Sequence, residues 1–220
     1  MTGFSQGASA AFGLAHALQG GADGWFRATA LAPVSGGYDF QHAEIPALLN
    51  GELHPKLSVA YTAYLLVAFD RLHNIYARPS DVFQPAYTGT PRLFDGTVPG
   101  PQVLAQLPDT VADLLTPQGF EMLRNPPGAF TAALREADSV CDWAPRMPTR
   151  LYLSPHDEEA ANANTYHCQQ ALRSHGVNAP VVDLGVNTSY NGLVHEGSEL
   201  LGVAAAARWF TGLPALSPTW

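Results

Sequence analysis

The chain has 220 residues, a formal net charge of −8 and only 14% charged residues. That length buries a sizeable core in one or two domains, while 11 basic residues without a cluster exclude a nucleic-acid footprint. The most apolar stretch, Leu57 to Phe69, runs into Asp70-Arg71 well short of the ~20 residues that span a bilayer, so no transmembrane segment is expected.

The first seven residues carry the strongest pattern. Gly3-Phe4-Ser5-Gln6-Gly7 fits G-x-S-x-G, a strand turning sharply into a helix with serine at the turn. The residues two before and two after the serine are expected to be small, so that strand and helix can pass closely. Ala8 to Leu18 reads as the helix, with a small-residue face. Its start gives Ser5 a positive dipole end and points the Gln6 amide toward a developing oxyanion. Such a pattern arises by chance in about one chain in ten of this length, so the remaining residues must decide its meaning.

Gly20-Gly21 and Asp23-Gly24 make a turn, and Phe26 to Val34 reads as a short buried strand closed by Ser35-Gly36-Gly37. From Tyr38 to Pro148 proline recurs and no period-two strand appears. Helical patches at Leu57–Ile75, Gly100–Leu107, Thr116–Arg124 and Ala129–Ala137 sit among aromatics that include Tyr61, Tyr64, Phe69, Tyr76, Phe83, Tyr87 and Phe94. The expected organisation is an α/β core over 1–38 and 149–220, interrupted by a helical cap or lid over 39–148. In the core, Arg150–Ser154 and Pro180–Leu184 read as strands. Ala160–His175 and Gly197–Phe210 read as helices.

A serine nucleophile needs a base, and the base needs an acid to hold its tautomer. After an elbow the partners follow in the order Ser, Asp/Glu, His, in loops at the carboxyl ends of strands. Asp157 follows the strand ending at Ser154, and His195 follows the strand ending at Leu184. Glu158 and Glu159 read as first-turn helix charges, Asp183 as a hydrogen-bonded or surface group within a strand, and His156, His167 and His175 as solvated. Cys141 and Cys168 have neither metal-ligand nor thioredoxin-like spacing; two buried thiols are expected, a disulfide requiring an oxidising compartment. Asn187-Thr188-Ser189 fits a glycosylation sequon, a match too common to carry weight.

Together these stretches resemble the α/β-hydrolase superfamily, in its secretory-lipase-like esterase branch. The supporting residues are Gly3–Ala8, Ala32–Asp39, Cys141–Pro145, Leu151–Glu159 and His195–Ser198. The resemblance implies a serine hydrolase of carboxylic esters with Ser5, Asp157 and His195 as catalytic triad. It implies no metal and no cofactor, and a small-molecule ester substrate whose apolar acyl or aromatic group meets the lid wall. Relatives place five strands before the elbow, so an α/β-hydrolase fold lacking its N-terminal strands is expected. The early loop that gives the second oxyanion amide would be missing too, a loss of ~100- to 1,000-fold in rate. A leader upstream would make the protein secreted; otherwise it is cytoplasmic. A serine peptidase of the prolyl-oligopeptidase or aminopeptidase type, and a catalytically inactive fragment, are the alternatives.

Overall fold

The computed structural model describes residues 1–185 and 189–214, so the sequon at Asn187-Thr188 and part of the loop before His195 lie outside the described residues. The regular elements, in chain order, are α1 (Gln6–Gln19), α2 (Ile45–Asn50), α3 (Pro55–His73), α4 (Pro79–Val82), α5 (Gly100–Gln106), α6 (Val111–Leu114), α7 (Pro117–Arg124) and α8 (Gly128–Asp138). They continue with β1 (Leu151–Leu153), α9 (Ala163–Ser174), β2 (Val181–Asp183) and α10 (Val194–Thr211). The chain divides into two units, 1–40 with 138–220, and 41–137.

In the first unit, four backbone segments run parallel, side by side. β1 pairs with β2 in register Leu151 to Val181 and Leu153 to Asp183. On the other side of β1, Leu31 bridges Thr149 and Val34 bridges Tyr152, and Val34 bridges Phe4 in turn. The segment order is therefore 1–4, 31–34, 149–153, 181–183. Alternation then sends side chains to opposite faces. Leu31 and Leu151 pack with Ala8, Ala11, Phe12 and Ala15 of α1 and with Leu172 of α9. Ala32, Val34 and Tyr152 pack with Ala206 of α10. Helices on both faces of a parallel sheet make an α/β layer structure. Gly202 lets α10 lie close, because a Cβ there would collide with the Val34 side chain.

Two expectations are corrected here. The run Phe26 to Val34 does not form one buried strand: Trp25 and Phe26 are 93% and 72% exposed. The Asp23 carboxylate accepts the N–H groups of both, at 2.6 and 2.9 Å, so a local turn takes the donors that a strand would use. Cys141 and Cys168 are not free thiols but a disulfide, with Cα atoms 5.3 Å apart. The short turn Ser139–Cys141 and the inner face of α9 converge in the core, a proximity that spacing along the chain does not encode. Residues 138–148 belong to this unit through that bond and through Trp143, which stacks on His16 at 4.6 Å.

The second unit is helical. α3 opens with Pro55 behind a His54 side chain that accepts the Leu57 N–H, and ends at Asn74 in the left-handed conformation. Val59, Ala63 and Leu66 of α3 are fully buried, and Phe69 meets Phe130 of α8 edge-on at 5.5 Å. A single antiparallel bridge, Phe83 to Leu115, is the extent of extended pairing among the described residues of this unit. Leu57, Tyr61, Tyr64, Phe94, Val98 and Val103 line an open apolar groove of about 440 Å³. Among the described residues, no helix is long and apolar enough to cross a membrane.

Candidate active site

Ser5 sits between the end of the first parallel segment and the start of α1, with φ 53° and ψ −125°. A non-glycine residue seldom adopts a positive φ, and such conformations persist only where surroundings impose them. Three backbone bonds impose this one: Ser5 N–H donates to Val34 O at 3.0 Å, Gly7 N–H to Phe4 O at 2.7 Å and Ala8 N–H to Ser5 O at 2.9 Å. The spatial demand on the flanking glycines is one-sided. A Cβ on Gly3 would collide with the Gly7 carbonyl, whereas one on Gly7 would meet open space. Gln6 is the first residue of α1, so its amide lies at the positive end of the helix.

Asp157 and His195 come together. Asp157 lies four residues beyond β1, and its Oδ1 accepts the N–H groups of Glu159 and Ala160 at 3.0 and 2.9 Å. Both its oxygens face His195 Nδ1, at 3.0 and 2.9 Å. A carboxylate only accepts, so Nδ1 carries the proton and Nε2 is left as the basic nitrogen of the neutral ring. The side chains of both residues are buried. Phe4, the residue before Ser5, lies against the His195 ring with centroids 4.5 Å apart. No hydrogen bond joins Ser5 Oγ to His195 Nε2 among the described residues.

Burial pulls the His195 pKa down. The Asp157 hydrogen bond and charge, followed by the charges of Glu159 and Glu158, overcome it and leave the pKa above the ordinary histidine value. Those two glutamates depart from expectation. α9 begins only at Ala163, so neither lies in its first turn. Glu159 is buried, and Glu158 Oε1 accepts the His195 N–H at 3.4 Å. His195 itself stands in the first turn of α10 rather than in the loop before it, because Leu193 is the extended residue that starts the helix. Of the other histidines, His156 is exposed, while His167 and His175 are not simply solvated: they pair with Asp39 at 2.7 Å and Asp142 at 2.6 Å. Asp183 accepts the Gly185 N–H at 2.7 Å.

Sequence reading missed two serines. Ser198, one turn into α10 and fully buried, contacts Ser35 Oγ at 2.8 Å and donates to His195 O at 2.7 Å. Their only signal was the three-residue spacing of His195 and Ser198 and the turn at Ser35-Gly36-Gly37.

No protein-family model matches the chain, and no curated protein sequence does. Solved structures do. The rice cell wall degrading esterase LipA of Xanthomonas oryzae aligns at TM-score 0.78 and 22% identity, over 93% of this chain and 56% of that one. Its ligand-bound form aligns at 0.79 and 23%, with the same coverage. A Legionella pneumophila protein assigned as a hydrolase aligns at 0.83 and 18%, over 98% of this chain and 57% of that one. The chain thus shares the fold of these structures and spans little more than half their length.

Proposed function

We infer that the chain carries the catalytic residues of a serine hydrolase acting on carboxylic esters. The observation that carries this reading is the buried Asp157–His195 pair, whose imidazole lies against Phe4, the residue before a serine held at positive φ, at the carboxyl ends of parallel segments. In this mechanism His195 Nε2 takes the Ser5 proton as Oγ attacks the ester carbonyl, forming a tetrahedral intermediate. The Gln6 N–H stabilises the oxyanion, and His195 returns the proton to the departing alcohol. Water, activated by the same nitrogen, then releases the acid from Ser5. Asp157 accepts the Nδ1–H and holds the tautomer throughout.

The test is fluorophosphonate labelling of the chain, with Ser5→Ala as control, followed by nitrophenyl esters against aminoacyl anilides. Labelling lost in Ser5→Ala, with turnover of short esters alone, is the expected result. Labelling at another residue, or none on folded protein, overturns the reading. Turnover of anilides in preference to esters would move it to a peptidase.

A further inference from the structure

Resting on the triad reading above, we propose that Ser35 and Ser198 are positioning residues: together they set where His195 stands relative to the elbow. Each hydroxyl has one hydrogen. Ser198 spends its own on the His195 carbonyl, so the Ser35–Ser198 contact must run with Ser35 Oγ–H as donor. The result is a directed chain, Ser35 to Ser198 to the His195 backbone.

Ser35 is the junction of all three candidate triad segments. It follows Val34, whose carbonyl accepts the Ser5 N–H and whose own N–H donates to Gly3 O, so it is one bond from the rung that fixes the elbow. Its N–H donates at 2.9 Å to the carbonyl of Tyr152 in β1, the strand that leads to Asp157. Its hydroxyl reaches α10, which bears His195. To do so Ser35 adopts φ 44°, a second serine at positive φ beside Ser5. One turn beyond Ser198, Gly202 abuts Val34, so positions 198 and 202 of α10 dock on consecutive residues of one segment.

Packing alone does not call for this arrangement. A buried hydroxyl pair gains little over a matched apolar pair, and a serine bonding back within a helix weakens it slightly. What it adds is direction. The apolar contact at Gly202 tolerates sliding and rotation, whereas the hydrogen-bond chain fixes one height and one rotation for the turn carrying His195. Small displacements of a catalytic group cost up to about 100-fold in rate.

The test is a cycle of Ser35→Ala, Ser198→Ala and the double variant, read by thermal melting, by labelling rate and ester kcat and KM, and by the His195 Nδ1-bound proton in NMR spectra. Each single variant should lower kcat and labelling about 10- to 100-fold with KM within about twofold, as expected for loss of transition-state alignment. Each should also shift or broaden the His195 proton. The double variant should melt above Ser198→Ala, in which the Ser35 hydroxyl loses its acceptor, yet stay as slow as both singles. Rates that recover with stability in the double variant would reduce the pair to a structural role and overturn the proposal. If wild type labels no better than Ser5→Ala, the hydrolase reading fails instead. The NMR signal then decides by itself, and an unshifted, unbroadened His195 proton in both single variants overturns the positioning role.

Discussion

Reducing the Cys141–Cys168 bond should cost the first unit about 3.5 kcal/mol. The bond closes a loop with 27 residues of separation, and the chain-entropy relation for a loop of that length gives this value from the restriction of the unfolded chain alone. For a protein of this size it corresponds to a fall of about 7–14 °C in melting temperature. Both sulfurs are buried in the cluster that includes Trp143 and Leu172, so alanine substitution would add a packing loss to the loss of the link. The clean comparison is therefore urea unfolding of oxidised against reduced wild-type protein, which keeps every atom of the side chains. Cys141→Ala/Cys168→Ala should fall below the reduced form. Thiols that react in denaturant without prior reduction would show that the bond does not form. A difference under about 1 kcal/mol between the two forms would refute the loop argument.

In the proposed mechanism His195 acts as base only when neutral; with its pKa raised, the acid limb of kcat/KM should have its midpoint above the ordinary ~6.5. Glu159→Gln should move that midpoint down. The same shift makes a stability prediction of opposite sense: the His195 contribution is complete below about pH 6.5 and is lost as pH rises through the folded value, a trend measurable by urea midpoints and absent in His195→Gln. Gly202→Ala should destabilise by about 1–3 kcal/mol, since its Cβ meets the Val34 side chain; unchanged melting would mean that α10 rides higher on the sheet.

What the sequence made legible was whatever rests on local pattern. The turn at Ser5 lies in a contiguous five-residue motif, of whose two glycines Gly3 is required by the space around it. The strand–loop–helix rhythm after Thr149 placed Asp157 and His195 at consecutive strand ends, and the structure sets their side chains 2.9 Å apart. Convergence between distant segments was not legible. Nothing near Cys141 announces Cys168, and nothing in the apolar run at Trp25-Phe26 reveals that Asp23 will take its donors. Glu159 looked like a helix-start charge because charge patterning cannot tell where a helix begins to within three residues. Ser198 hid among the small residues of α10, where serine and alanine read alike.

The parallel segments also impose an order of events during synthesis. Leu31 and Val34 bridge Thr149 and Tyr152, more than a hundred residues later in the chain. At roughly 5–20 residues per second, a ribosome keeps Val34 waiting on the order of 5–20 s for the segment that covers its other edge. The 41–137 unit, whose own buried residues are all made in that interval, is able to condense first. Nascent chains stalled before residue 149 should therefore present an uncovered, aggregation-prone edge to chaperones, and the Asp157–His195 pair should form only after the last third has emerged.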